Sequence, residues 1–301
     1  MSKEGKHHYI PVFYLKQWCG SDGRLCEFSK PYDRVKPRRV HAGGTGYVHG
    51  LNTIAGLPPA VAQYLETHFF KIADDSSARA LRILLGAARW KFTDDERSGW
   101  SRFIVSLVIR NPESMERHKA AAKALYEKAL PDLEADYARR KLPTDPPTYV
   151  EYAAQRSDNP AGRAAAMLIQ KVIDSPKIGN WIVGMRWMVM HDARPPFLFL
   201  TSDRPLVITN GIINPDSQII LPISPRHVFI ATNNAQTEKY IQDIMKRQQL
   251  IQQVNERVTR QSRKYVYGYD DAQLTFVSKR LGMKYTADPI ENFPFDASWL
   301  C

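Results

Sequence analysis

Phe197-Leu198-Phe199-Leu200-Thr201-Ser202-Asp203-Arg204-Pro205 marks the place where this 301-residue chain changes character. Four consecutive apolar residues closed by Thr-Ser-Asp and a proline read as a short buried strand with its exit turn. The same pattern recurs downstream in Leu206 to Thr209, Gln218 to Leu221 and Arg226 to Ala231, short apolar runs separated by Pro, Gly and Asn. These runs predict a small, mainly antiparallel sheet.

Upstream, the period becomes helical. Val61, Tyr64, Leu65, His68, Phe69 and Ile72 share one face, continued by Leu81, Leu84, Leu85 and Ala88. Thr93 followed by Asp94-Asp95-Glu96 places a capping hydroxyl and acidic side chains at the positive end of a helix dipole. Trp100, Phe103, Ile104, Leu107 and Val108 are its buried stripe. With Val105 and Ile109 beside them the segment is apolar nearly all round, as a central core helix is. It ends at Arg110, and Asn111-Pro112 restarts a helix with Asn as cap and Pro in the first turn. Glu113 to Lys141 is charged and Ala-rich, the profile of an exposed helix broken by Pro143-Thr144-Asp145-Pro146-Pro147. Ala161 to Ile173 and Lys177 to Met190 read as two further helices.

After the strands, Thr237 to Arg263 returns to helix with Ile241, Ile244, Ile251, Asn255 and Val258 on one face, and Lys264 to Tyr269 reads as a last strand. At the other end, residues 1–59 predict an irregular, mixed region. Gly20-Ser21-Asp22-Gly23 is a turn, Arg24 to Ser29 a short strand, and the remainder is rich in Gly, Pro and basic residues. The fold class expected is α+β. A helical region over 60–192 packs with a small sheet plus long helix over 193–301, in one compact domain, 1–301.

Composition excludes disorder and fibrous structure: 44% of residues are hydrophobic, 24% charged and 11% aromatic. A net charge of +11 and a pI near 9.5 favour polyanionic partners, nucleic acid foremost, and also serve solubility. Three cysteines, Cys19, Cys26 and Cys301, are too few to frame a secreted fold of this size. The first residues lack the apolar core of a signal peptide, and the longest apolar stretch, Trp181 to Met190, is interrupted by Arg186 and too short to span a bilayer. A reduced cytoplasmic location without membrane contact is expected.

The chain opens with Lys6-His7-His8-Tyr9-Ile10-Pro11-Val12-Phe13-Tyr14-Leu15-Lys16-Gln17-Trp18, two histidines followed by enough apolar surface to anchor them to the body. This block, together with the apolar run ending in Thr201-Ser202-Asp203-Arg204-Pro205, resembles the family called domain of unknown function four-two-three-eight. Its members begin with His-His-Tyr-x-Pro-x-Phe-Tyr-Leu and later carry Thr-Ser-Asp-x-Pro. Glu66, Arg110 before Asn111-Pro112, Leu221-Pro222-Ile223-Ser224 and Asn255 are weaker matches, and Val12 stands where the pattern has a polar residue such as Gln. The resemblance covers nearly the whole chain and implies candidate positions without an activity.

Two functions compete for those positions. In a phosphodiester hydrolase acting on nucleic acid, His7 or His8 serves as base or ligand of a divalent metal, with Glu66 and Asp203 as carboxylate partners. Arg110 then clamps phosphate, and Ser202 and Asn255 contact substrate. In a non-catalytic nucleic-acid-binding or protein-interaction module the same residues fasten the terminus. Asp203 caps its own turn, Arg110 pairs with Glu66 or Asp203, and Asn255 stitches helix to loop. Arg34, Lys36, Arg38 and Arg39 beside Tyr32, and Arg257, Arg260, Arg263 and Lys264 near Tyr265 and Tyr267, then supply phosphate contacts and stacking. Placement discriminates: catalysis needs the histidine, Asp203 and Glu66 around one open pocket. The spacings of Cys19, Cys26, His41 and His49 miss those of zinc knuckles, Gly43-Gly44-Thr45-Gly46 lacks a following helix, and Ser202 lacks a nucleophile elbow.

Overall fold

The computed structural model describes residues 5–53, 70–86, 90–156, 159–191, 197–246 and 249–283. The first-helix face from Val61 to Phe69, including Glu66, therefore lies outside the described residues, as does Cys301.

The N-terminal arm is ordered by pairing and by burial. Strand β1 (Lys6–His8) pairs antiparallel with β4 (Tyr47–His49), Lys6 opposite His49. Pro11 precedes a single helical turn, α1 (Val12–Leu15), which tightens into a 3-10 turn at Lys16–Trp18. Tyr14, Leu15 and Trp18 from this piece are fully buried. Gly23, at φ +69°, makes the turn into β2 (Arg24–Ser29), which forms a hairpin with β3 (Lys36–His41), Arg24 opposite His41 and Ser29 opposite Lys36.

The middle is helical: α2 (Lys71–Leu85), α3 (Asp94–Ile109), α4 (Pro112–Arg140), α5 (Tyr149–Arg156), α6 (Pro160–Ile173) and α7 (Pro176–Gly184). The Thr93 hydroxyl accepts from the Glu96 N–H at 3.2 Å, and the Glu96 carboxylate accepts from the Thr93 N–H at 2.9 Å, a closed capping box. Helix α3 is the core helix, buried at every position from Gly99 to Ile109 except Arg102. It crosses α2 at Gly99, whose carbonyl accepts from the Ser77 hydroxyl at 3.0 Å; a Cβ there would lie 2.6 Å from Ser76 Oγ.

The expected helix from Lys177 to Met190 is corrected. It stops at Gly184, and Arg186–His191 is strand β5. An all-apolar run fits either period, and packing on two sides decides for the strand. Trp187 and Val189 face one core, whereas Met188 and Met190 face the other. The following strands are β6 (Thr201–Ser202), β7 (Val207–Thr209), β8 (Gln218–Ser224) and β9 (His227–Thr232). The single late helix expected from Thr237 to Arg263 is two, α8 (Ala235–Lys246) and α9 (Leu250–Gln261). Strand β10 (Tyr265–Gly268) and a short α10 (Leu274–Ser278) follow.

Two four-stranded antiparallel sheets result, in the orders β5-β9-β8-β7 and β3-β2-β10-β6. The first is sandwiched. Phe229 meets Trp100 and Trp187 at 5.5 and 5.3 Å between ring centroids on one side, and Val228 and Ile230 pack with Ile241, Val254 and Val258 on the other. The second joins the expected strand at Arg24–Ser29 to late ones, because the β2–β3 hairpin is half of a sheet completed by β10 and β6 from the last third of the chain. Cys26, Phe28, Leu200 and Val266 cover one face with Val277 and Leu281, while Leu25 and Tyr267 join the arm on the other. The architecture is α+β.

Candidate functional site

The two motif blocks lock into each other. The fully buried Tyr14 hydroxyl lies 2.7 Å from Thr201 Oγ1 and donates to the Pro222 carbonyl at 2.6 Å, and Trp18 Nε1 donates to the Phe199 carbonyl at 2.9 Å. Burial drives the Tyr14 phenol upward, against the pull of its Thr201 hydrogen bond, so it works as a neutral donor.

Asp203 closes the turn after β6. Its carboxylate accepts the backbone N–H groups of Arg263, Lys264 and Tyr265, at 2.9, 2.5 and 3.0 Å, and thereby seats the start of β10. Burial pushes its carboxyl up to about 6, against the lowering effect of those N–H groups and the Arg204 charge. Ser202 is fully buried and its hydroxyl accepts from the Arg204 N–H at 3.1 Å. Asn255 clamps the segment before β6: it accepts from the Leu200 N–H at 2.9 Å and donates to the Leu198 carbonyl at 2.8 Å and to Gln273 at 3.1 Å.

The other candidates lie apart. Arg110 is buried at the C-terminus of α3, and its fork holds Asp74 of α2, with contacts of 3.1 Å from both terminal nitrogens. Of the two acids expected to pair with Arg110, Asp203 is engaged elsewhere and Glu66 lies outside the described residues; the guanidinium is held by Asp74, 36 positions earlier on the adjacent helix. His7 is buried in β1, its Nδ1 accepting from the Asn52 N–H at 2.9 Å. His8 is half-buried with its ring 5.5 Å from that of Tyr47. Alternation along β1 thus sends the two histidines to opposite faces. Among the described residues no three His, Cys, Asp or Glu side chains are grouped as metal ligands, and Cys19 and Cys26 are free thiols.

Sequence reasoning missed a buried polar cluster on the arm-side face of the second sheet. Glu27, 1% exposed, accepts from Arg38 at 2.8 Å and from the Thr45 hydroxyl, which lies 3.0 Å from the Tyr267 hydroxyl. Burial raises the Tyr9 and Tyr267 phenols, and Asp203 and Glu27 reinforce both shifts. The available signal was Glu27 itself, a charge inside the apolar run Leu25 to Phe28.

At the hairpin end of that sheet, register joins the two basic–aromatic clusters. Tyr265 stands opposite Ser29, which stands opposite Lys36, so all three side chains share a face. Lys264 precedes Tyr265 and Lys30 follows Ser29, so the antiparallel register carries both to this end. Tyr32 is 80% exposed, Lys36 Nζ lies 5.8 Å from its ring centroid, and Lys264 Nζ lies 5.1 Å from that of Tyr265. The structure also trims the clusters. Arg38 is committed to Glu27, Arg39 to Asp22 and the Tyr269 carbonyl, and Arg260 to Glu256, while Tyr267 is fully buried. Lys30, Lys36, Arg263 and Lys264 are exposed and form no ion pair among the described residues.

These features define an α+β protein whose arm and central motif interlock and whose second sheet ends in a basic, aromatic hairpin. The chain belongs to the family described as Protein of unknown function (DUF4238), whose model matches residues 6–272, from β1 to just beyond β10. Comparison with curated proteins gives no match, and comparison with solved structures gives none either. Among the described residues no helix is long and apolar enough to cross a membrane.

Proposed function

We propose that the protein is a non-catalytic nucleic-acid-binding module that holds a single strand across the β2–β3 hairpin end of its second sheet. One observation carries this: the ladder Lys36–Ser29–Tyr265 brings basic and aromatic residues from both ends of the chain to one sheet end. Lys30, Lys36, Arg263 and Lys264 neutralise phosphates, and Tyr32 and Tyr265 offer rings for base stacking. The engagement of His7, Asp203, Arg110 and Asn255 by protein partners supports the same reading, since each has a structural task.

The test is fluorescence anisotropy with labelled single-stranded DNA and RNA and their duplexes across a salt series. Four phosphate contacts predict a log–log salt slope of about −3 on single strands. Lys36→Ala with Lys264→Ala should flatten that slope by about 1.4, and Tyr32→Ala should weaken binding by about 1–3 kcal/mol. Absence of binding at low salt, or binding that none of these variants changes, overturns the proposal.

Hydrolysis has a different support: burial pushes the Asp203 carboxyl up to about 6, close enough to the Tyr9 phenol to raise it in turn. Cleavage of the same oligonucleotides with Mg²⁺ or Mn²⁺, lost in a folded Asp203→Asn protein, would replace the module by an enzyme.

A further inference from the structure

The first sheet carries two histidines on one rung. Strand β5 faces β9 through the pairs Trp187–Ala231, Val189–Phe229 and His191–His227, which alternation sends to the same side of the sheet. The first two pairs are apolar and packed in the core shared with the helical middle. The third stands where β5 ends, with His191 exposed and His227 half-buried. Their ring centroids are 4.6 Å apart and their planes are inclined at 35°. His227 Nδ1 lies 2.8 Å from the Ser224 hydroxyl, whose oxygen also accepts from the Arg226 N–H at 3.2 Å. Neither histidine belongs to the two motif blocks or to the hairpin end of the second sheet, so what they do is independent of the nucleic-acid reading.

We propose that His191 and His227 form a two-imidazole site for a divalent transition-metal ion of the nickel, copper or zinc kind, which clips the edge strand β5 to β9. Imidazole nitrogen suits these ions, whereas Mg²⁺ and Ca²⁺ take oxygen ligands. Residues directly opposed in an antiparallel pair hold their Cβ atoms about 4.5–5.5 Å apart, so two imidazoles on one rung meet at a single ion. The only adjustment needed is rotation of the exposed His191 side chain. Ser224 orients the other ligand. With Nδ1–H donating to its hydroxyl oxygen, the lone pair of His227 is on Nε2, which is the coordinating atom, and such a partner on the second ring nitrogen is usual at metal-bound histidines. The Arg226 charge acts on His227 and opposes any ion held by charge alone, which sharpens the preference for ions that bind nitrogen strongly. Two protein ligands are fewer than the four of a structural zinc site, so the ion binds reversibly to a strand pair already formed by its backbone.

Isothermal titration of the full chain with Mn²⁺, Co²⁺, Ni²⁺ and Mg²⁺ tests the assignment, with thermal unfolding in excess Ni²⁺ beside it. The expected result is an equivalent of Ni²⁺ per chain, with affinity rising from Mn²⁺ through Co²⁺ to Ni²⁺, no Mg²⁺ binding, and a Tm raised by Ni²⁺. His191→Gln and His227→Gln should each remove that equivalent and the Tm rise. Ser224→Ala should weaken Ni²⁺ by about tenfold, and Ser224→Thr, which keeps the hydroxyl, should restore it. Circular dichroism establishes that each variant is folded. Should His227→Gln fail to fold, His191→Gln, at an exposed position, decides by itself. Absence of a Ni²⁺ equivalent, its retention in folded His191→Gln, equal binding of Mg²⁺, or a Ni²⁺-dependent dimer in size-exclusion chromatography, which would place the ion between chains, overturns the proposal.

Discussion

Taking one oxygen from Tyr14 asks whether the opening block is an interlock or part of a reaction centre. Tyr14→Phe keeps the ring against Trp18 and Phe103, at 5.1 and 5.7 Å between centroids, so apolar burial is nearly unchanged. The loss is the hydroxyl that joins the arm to Thr201 of β6 and to Pro222 of β8. Two hydrogen bonds contribute about 1 kcal/mol each, and a carbonyl and a hydroxyl left short of a partner in a dry site add about 1–2 kcal/mol. The expected cost is therefore about 3–4 kcal/mol, or roughly 5–6 °C in Tm for a chain of this size. Urea unfolding followed by tryptophan fluorescence measures it, with Thr201→Val as the second leg of a double-mutant cycle. The two changes should couple by about 1 kcal/mol, since either one breaks the shared bond. Oligonucleotide affinity should stay at its wild-type value in folded Tyr14→Phe. A cost below about 0.5 kcal/mol, or strict additivity with Thr201→Val, refutes the interlock.

Asp203 predicts a pH dependence. Its folded carboxyl, near 6, lies above the unfolded value of about 3.9, so the native state holds its proton more tightly and stability falls as pH rises from about 4 to about 6. The two pKa values differ by about 2 units, equivalent to about 3 kcal/mol, and Asp203→Asn should remove that slope in denaturation curves taken across the window; identical profiles would discard the shift. Asn255→Leu gives up contacts to Leu200, Leu198 and Gln273 and should cost about 3 kcal/mol, with less than about 1 kcal/mol contradicting the clamp. Asp74→Ala strands the Arg110 charge inside the helical core and should cost about 3–5 kcal/mol, whereas an exposed pair would lose under about 1 kcal/mol. Gly99→Ala drives a methyl into Ser76 and should cost about 1–3 kcal/mol by thermal unfolding; a neutral outcome would mean that α2 slides freely over α3.

Local chemistry was legible wherever one residue pattern had one structural solution. Thr93 with Glu96 can only be a helix start, Asn111-Pro112 a restart, and both are found there. The runs around Ile208, Leu221 and Phe229 became strands because Pro, Gly and Asn left them too short for helices. The end of the helix expected over Lys177 to Met190 failed for the opposite reason: with apolar residues on every side from Trp187 to Met190, periods of 2 and 3.6 are indistinguishable, and only the two cores flanking β5 separate them. At the motif residues the need for a partner was legible and its identity was not. Arg110 required a carboxylate, but Asp74 and Asp75 read alike on α2 until the helices cross. The basic–aromatic pairs at Tyr32 and Tyr265 were visible separately; that they share one sheet end follows from a strand register no local pattern encodes.

That register also orders events during synthesis. The β2–β3 hairpin emerges early, yet the edge of β2 that pairs with β10 waits for Tyr265, more than 200 residues later. At roughly 5–20 residues per second the wait exceeds about ten seconds. Until then β2 offers a bare strand edge, with Phe28 and Cys26 uncovered on one face and the buried acid Glu27 on the other. Placing a charge in the middle of that strand leaves a nascent edge that is wetter and less adhesive than its neighbours Leu25 and Phe28 alone would make it.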